Sequence, residues 1–192
     1  MIIYNTKETI KRYKLTPIEK MSEPLKNLNQ AVLDKESGDE LFEWGAKLFY
    51  FDRRKCLQVV NFASKFTLFL LDIKVDNIVN VLDFIFEYIK DIYKDDILML
   101  NCINKMIDES PFCAFSNLTN RSIISTINHT ESCFADYGYR FYNYIANGIM
   151  QSKKINRDVN RNWIFSRKNG KETEYFFSAD KFRELVVARF NK

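Results

Sequence analysis

The chain has 192 residues and a net charge of +4, with 46% hydrophobic and 28% charged residues. These proportions are typical of a globular domain of ordinary size, and the small numbers of glycine (5) and proline (3) exclude collagen-like and linker-dominated proteins. One histidine and four cysteines without C-x-x-C spacing argue against a zinc site, so we expect neither a metal nor a cofactor.

The apolar pattern predicts no membrane or export segment. The longest apolar run, at residues 66–71, is far too short to cross a bilayer, and residues 1–13 contain no apolar core of the length that export requires. We therefore predict a cytoplasmic protein without a membrane partner. Its cysteines are expected to be buried free thiols. They are Cys56, Cys102, Cys113 and Cys133.

The first half of the chain has the pattern of a strand, a helix and an antiparallel meander. Thr6 is placed to cap the first helix, and three successive apolar runs predict neighbouring strands. The third run is apolar on both faces, which indicates a central, covered strand. In chain order, the predicted elements are a strand at 2–4, a helix ending at 13, a connection at 17–39 with a short helix at 25–33, and strands at 42–51, 56–62 and 66–73.

The second half is mainly helical. Apolar residues with three-and-four spacing predict two helices, and Thr119 or Asn120 can cap a third that reaches Gly148. The Asn169-Gly170 dipeptide predicts a hairpin, and a last helix follows. The predicted helices cover 75–93, 95–110, 119–148 and 178–190, with a short strand at 112–115. We predict an α+β fold, with helices on one face of an antiparallel β-meander and a small C-terminal basic hairpin and helix. Residues 1–192 would form a single domain, with 150–192 as an appendage.

Several short motifs link the chain to a known family. They are Glu43-Trp44-Gly45-Ala46, Asp52-Arg53-Arg54-Lys55-Cys56, the run from Thr119 to Asn128, and Ile155-Asn156-Arg157. In these motifs, spread over most of its length, the chain resembles a bacterial and phage family of domains of unknown function. The resemblance implies the same fold class and a phage or mobile-element setting. In that setting, inhibition of a host defence nuclease is an expected role.

Positive charge is concentrated near the C-terminus. Between Gln151 and Lys171 there are seven basic residues and one acid, so this segment carries +6 and the remainder of the chain carries −2. Aromatic residues lie among these cations, which suits single-stranded nucleic acid through phosphate contacts and base stacking. A solvated linker and hairpin is the alternative. The candidate binding residues are Lys153, Lys154, Arg157, Arg161, Trp163, Arg167, Lys168 and Lys171.

A second candidate site combines a helix start with a basic turn. The helix predicted from residue 119 carries four polar side chains on one face, those of Arg121, Ser125, Asn128 and Ser132. The free backbone N–H groups at its start favour an anion. Two arginines occupy the turn at 52–55, where guanidinium groups can grip phosphate. The alternative is a capped helix and a solvated turn. If the two regions converge, the pocket would contain Trp44, Arg53, Arg54, Arg121, Ser125 and Asn128.

Three functions remain open from the sequence. The leading hypothesis is a non-enzymatic protein that binds nucleic acid or a nucleoprotein complex through the basic C-terminal segment. The second is a protein that binds a nucleotide or another small anion, including an enzyme that acts on phosphate esters. The third is a partner subunit of the toxin–antitoxin type, because an aromatic content of 15% fits a protein interface. His129 lies four residues from Ser125 and from Cys133, but no motif supports catalysis there.

Overall fold

A mixed five-stranded sheet forms the centre of the fold in the computed structural model, which describes residues 1–51, 53–136 and 141–191. The strands are β1 (Ile2–Asn5), β2 (Glu43–Phe51), β3 (Arg54–Asn61), β4 (Thr67–Leu70) and β5 (Ala114–Asn117). Their spatial order is β4-β3-β2-β1-β5. β2, β3 and β4 form the predicted antiparallel meander, whereas β1 lies parallel to both β2 and β5. The strand predicted as central, β4, is therefore an edge strand, which is a correction.

Seven helices surround the sheet in the described part of the chain. They are α1 (Lys7–Tyr13), α2 (Glu23–Glu36), α3 (Val81–Ile92), α4 (Ile97–Glu109), α5 (Arg121–Asp136), α6 (Ser152–Asn162) and α7 (Ser178–Phe190). The α+β class is thus confirmed. Thr6 caps α1 and the Asn120 side chain caps α5. The helix predicted at 75–93 is divided, because a 3₁₀ turn over Val75–Asn80 precedes α3.

The predicted long helix to Gly148 is wrong. After α5, a 3₁₀ turn over Phe141–Tyr144 leads into a small hairpin of β6 (Ile145–Ala146) and β7 (Ile149–Met150). Asn147 and Gly148 have φ angles of 51° and 74°, as a two-residue hairpin turn with both central residues left-handed requires. The same Asn-Gly signal that ends helices therefore closes a hairpin here.

Helices cover both faces of the sheet and not only one. Trp44, Ala46 and Leu48 point into the main core, which α3, α4 and α7 complete. Gly45 faces the other way, where an added Cβ would lie 2.3 Å from Ile123 Cγ2 of α5. Alternate residues of β2 thus serve two separate helical layers.

The C-terminal region takes part in both layers. Phe182 and Val186 of α7 lie in the main core, and Ile155 and Val159 of α6 lie in a second, smaller core beside the sheet. A second hairpin, formed by β8 (Ile164–Asn169) and β9 (Glu172–Phe177), connects these helices as predicted. The region 150–192, predicted as an appendage, therefore supplies buried side chains to the body of the fold.

The cysteines only partly follow the prediction. None of the four forms a disulfide in the described part of the chain, and Cys56 and Cys102 are buried. Cys113 and Cys133 have intermediate exposure. The Cys133 Sγ lies 3.8 Å from the His129 Nε2.

Candidate functional site

The basic residues of α6 mostly contact the protein itself. Arg157 forms an ion pair with Asp91 at 3.0 Å, and the Lys153 ammonium lies 3.8 Å from the same carboxylate. Arg161 donates to the backbone carbonyl of Ile92 at 2.6 Å. These contacts attach α6 to α3 and its C-terminal turn, so most of the positive charge on this helix is neutralised or engaged. Lys154, the remaining cation of α6, is exposed and lies 5.9 Å from the Tyr144 ring centroid.

The β8–β9 hairpin has two faces of different chemistry. Its inner face directs Phe165 into the smaller core, and on the same face Arg167 forms an ion pair with Glu40 at 2.7 Å. Opposite Arg167 lies Glu174, which Lys181 of α7 approaches at 3.2 Å. Residues that pair directly across two antiparallel strands share one face, and faces alternate along each strand. The outer hairpin face consists of Ile164, Ser166, Lys168, Thr173, Tyr175 and Phe177.

The outer hairpin face exposes apolar and aromatic groups to solvent. The exposed fractions are 67% for Ile164, 72% for Tyr175 and 39% for Phe177. Lys168 shares this face, and Lys171 follows in the hairpin turn. Among the described residues of the hairpin strands, both carboxylates, Glu172 and Glu174, belong to the inner face. Strand alternation therefore separates the aromatic and basic groups from the acids.

A groove between α5 and β8 adjoins the outer hairpin face. Its volume is about 330 Å³, and Ile164 and Ser166 belong to both surfaces. The groove brings Ser125 and Trp163 together, although the sequence predicts them in two different sites. The α5 groove is lined by Ser122, Ser125, Thr126, His129, Thr130, Trp163, Ile164, Phe165 and Ser166.

A buried lysine lies beneath one end of the α5 groove. Lys65 is only 4% exposed, and its ammonium donates to Ser122 Oγ at 2.9 Å. Burial lowers the pKa of Lys65 to about 8, and the charge of Arg167 acts in the same direction while that of Glu40 opposes it. Its backbone φ of 59° lies in the left-handed region. No motif or charge cluster in the sequence singles out Lys65, which lies between the second and third strands of the predicted meander.

The pocket predicted from Trp44, Arg53, Arg121 and Asn128 is not assembled. Trp44 is fully buried, and its ring packs edge-on against Phe66 and Phe182 on the sheet face opposite α5. A side chain in this position cannot contact a ligand bound at the surface.

The two basic parts of that predicted pocket also lie far apart. α5 begins over Gly45, so Arg121 is near the start of β2, whereas Arg53 follows its end. The strand from Gly45 to its end at Phe51 measures roughly 20 Å. Arg54 forms an exposed ion pair with Asp72 at 3.0 Å, and Asn128 accepts from the Lys47 ammonium at 3.1 Å. Asp52, the first residue of the predicted turn, lies outside the described residues.

A family model described as "Domain of unknown function (DUF6933)" matches residues 2–181, nearly the whole chain. The chain belongs to this family. Comparison with curated proteins and with solved structures gave no match. No helix in the described ranges is long and apolar enough to cross a membrane. Within the same ranges, no group of three or more His, Cys, Asp or Glu side chains is arranged to hold a metal ion.

The motifs on which the family resemblance rested have structural roles in this chain. Glu43 accepts hydrogen bonds from the Tyr4 hydroxyl and from the Gly38 amide, at 2.7 Å and 3.0 Å. Asn120 Oδ1 accepts from the Ile123 amide in the first turn of α5. These residues hold elements of the fold together. The outer hairpin face and the α5 groove are instead formed by residues outside those motifs, apart from the α5 residues that line the groove.

Proposed function

We propose that the protein binds single-stranded nucleic acid on the outer hairpin face and in the adjoining α5 groove. The observation that carries the proposal is that strand alternation places the basic and acidic side chains on opposite faces of the hairpin. Lys168 lies with the exposed aromatic rings, while Glu172 and Glu174 belong to the inner face. A phosphate backbone on the outer face would thus meet a cation and no carboxylate of the hairpin strands.

The aromatic side chains support single strands in preference to duplexes. Tyr175 and Phe177 lie on one β-surface and are accessible to solvent. Unpaired bases stack on such rings, and each stacking contact contributes about 1–3 kcal/mol to binding without much dependence on sequence. Paired bases are stacked on each other within a duplex, so their faces are not available to these rings.

The α5 groove extends the same surface. Its wall on α5 carries the hydroxyls of Ser122 and Ser125, which can donate to phosphate and ribose oxygens. The neighbouring hydroxyls of Thr126 and Thr130 donate to backbone carbonyls of α5 instead. Arg121 is exposed at the start of α5 and adds a cation near one end of the groove. In the phage or mobile-element setting that the resemblance implies, such a protein would compete with a host nuclease for nucleic acid.

The test is fluorescence anisotropy with labelled DNA and RNA single strands of about 15 nucleotides, and with a matched duplex, between about 50 and 200 mM salt. We expect saturable binding of the single strands that weakens as salt rises, and weaker binding of the duplex. Tyr175→Ala should reduce single-strand affinity about tenfold, because one stacking platform is lost. Lys168→Glu should reduce it at least as much, because it places an acid on the outer hairpin face.

Two control variants change the same residue types elsewhere. Tyr142→Ala removes a tyrosine that is 61% exposed, and Lys94→Glu reverses an exposed lysine after α3. Both should bind like the unmodified protein. Absence of single-strand binding at low salt would exclude the proposal and direct the search to a protein partner of the same exposed face. Equal losses in the outer-face variants and their controls would also contradict it.

A further inference from the structure

A cavity lies beside β5, the edge strand on the opposite side of the sheet from β4 and α6. Its volume is about 220 Å³. The share of liquid volume taken by one water molecule is about 30 Å³, so the cavity exceeds the size of a single bound water. It is lined by Ile10, Leu15, Thr16, Pro17, Ile18, Glu19, Asn29, Leu33, Phe115, Ser116 and Asn117.

One polar side chain in this cavity lacks a hydrogen bond that its burial calls for. Asn29 of α2 is only 7% exposed, and its Oδ1 accepts from the Phe115 amide at 3.3 Å. Its Nδ2 is buried and has no hydrogen-bond partner among the described residues. A buried N–H group without an acceptor destabilises a fold, so native proteins nearly always supply one.

Backbone groups of β5 face the same space. The Ala114 amide donates to the Met1 carbonyl and the Leu118 amide to the Asn5 carbonyl, on the side of the strand that faces β1. Alternate residues of a strand direct their N–H and C=O groups to opposite sides, so those of Phe115 and Asn117 point to the free edge. Asn29 satisfies one of these groups, the Phe115 amide.

The opposite edge of the sheet provides an internal comparison. There, Asn156 accepts from the Phe69 amide at 2.7 Å and also donates to the Phe69 carbonyl at 3.2 Å. Asn160 makes the same pair of bonds with Thr67, at 2.8 Å and 2.6 Å. Each of these side chains thus makes both hydrogen bonds that a neighbouring strand would make with that residue. At β5, Asn29 only accepts a hydrogen bond, and its Nδ2 has no acceptor among the described residues and adjoins the cavity.

We propose that the cavity beside Asn29 binds a small, neutral carboxamide with an apolar body. The ligand carbonyl would accept from Asn29 Nδ2, and its N–H would donate to a carbonyl at the free edge of β5. The apolar body would contact the aliphatic and aromatic walls, which include Ile18, Leu33 and Phe115. Among the described lining residues there is no lysine or arginine and one carboxylate, Glu19, so an anion is disfavoured. The site is separate from the outer hairpin face and does not depend on the proposed function.

The test is a titration of the full chain with benzamide, benzoate or toluene. Two-dimensional NMR monitors the backbone amide chemical shifts during each titration. These probes have similar size, but benzoate carries a charge and toluene has no acceptor. We expect saturable shifts at Phe115 and Asn117 with benzamide, and at least about tenfold weaker binding of the other two probes.

Two variants and one control identify the contact. Asn29→Asp keeps the acceptor for the Phe115 amide but replaces the donor, so benzamide affinity should fall at least about tenfold. Asn27→Asp makes the same change on the exposed side of α2 and should bind benzamide normally. Ile18→Trp should fill the cavity and abolish binding, which keeps the test decisive if Asn29→Asp does not fold.

Three outcomes would overturn this proposal. The first is the absence of a saturable shift with benzamide, and the second is equal binding of toluene and benzamide. The third is undiminished benzamide binding by a folded Asn29→Asp variant or, if that variant does not fold, by Ile18→Trp. The first would mean that the cavity holds only water.

Discussion

Asn160 is bonded to Thr67 in the way that a neighbouring β-strand would be. Its Oδ1 accepts from the Thr67 amide at 2.8 Å, and its Nδ2 donates to the Thr67 carbonyl at 2.6 Å. Asn156 repeats the arrangement with Phe69. Four residues along a helix rise about 6 Å and two residues along a strand about 6.6 Å, so the two pairs match in spacing. The edge of the sheet is thereby closed by a helix.

Replacement of Asn160 should destabilise the fold strongly. Asn160→Leu leaves the buried amide and carbonyl of Thr67 without partners, and we expect a loss of about 3 kcal/mol in the free energy of unfolding. Urea denaturation measures this change. Asn162→Leu, at an exposed position of the same helix, should change stability by less than about 0.5 kcal/mol. Similar small effects of the two substitutions would refute the role assigned to Asn160.

The close approach of β2 and α5 should make Gly45 intolerant of a side chain. In Gly45→Ala the new methyl would meet Ile123 Cγ2 at 2.3 Å, so we expect a loss of about 1–3 kcal/mol in stability. Ile123→Ala removes the obstructing atom and leaves space for the methyl group. In a double-mutant cycle, the combined variant should be at least about 1 kcal/mol more stable than the sum of the single effects predicts. Strict additivity would show that the two positions do not interfere.

Stability should rise with pH because of Lys65. Its pKa is about 8 in the folded protein and 10.5 when unperturbed, so between these values the unfolded chain binds more protons. The contribution of Lys65 to the unfolding free energy should therefore increase by about 2 kcal/mol from about pH 7 to about pH 9.5. Burial raises the pKa of the Cys56 and Cys113 thiols, so their ionisation in the unfolded chain offsets part of this gain toward the upper end of the range. Measurements should stop below about pH 10, because burial raises the pKa of Tyr4 to about 12 and ionisation of tyrosine in the unfolded chain then lowers stability.

The contribution of Lys65 is isolated by comparison of two variants in urea denaturation over this pH range. Lys65→Met should remove the increase and should raise stability near pH 7, because a buried ammonium with one hydrogen bond is no longer required. Lys94→Met changes an exposed lysine and should retain the increase. An unchanged pH profile in Lys65→Met would assign the effect to another group.

Lys168 and Arg157 should differ in their effect on nucleic-acid binding. Lys168 lies on the outer hairpin face, so Lys168→Gln should reduce the slope of log affinity against log salt by about 1. Arg157 is paired with Asp91, whose side chain is only 15% exposed, so Arg157→Gln should lower stability and leave the slope unchanged. Anisotropy titrations at several salt concentrations measure both. Equal changes in slope would show that α6 also contacts phosphate.

Local features of the fold could be predicted because they depend on neighbouring residues. The Thr6 cap, the meander after residue 42 and the Asn169-Gly170 hairpin each follow from side-chain or turn chemistry within a few positions. Short-range patterns were less reliable where two structures share one signal. Asn147-Gly148 suits both a helix end and a hairpin turn, and only the pairing of Ile145 with Met150 selects the hairpin.

The sequence by itself determined the α+β class, the order of most elements and the location of the excess positive charge. The tertiary structure alone decided which charges remain available. Arg157 and Arg167 are paired with Asp91 and Glu40, which lie 66 and 127 residues away in the chain. The convergence of Ser125 with Trp163, and the separation of Trp44 from both, likewise depend on how strands far apart in sequence pair and on which sheet face each residue points to. Such relationships result from long-range packing, for which a single sequence contains no periodic signal.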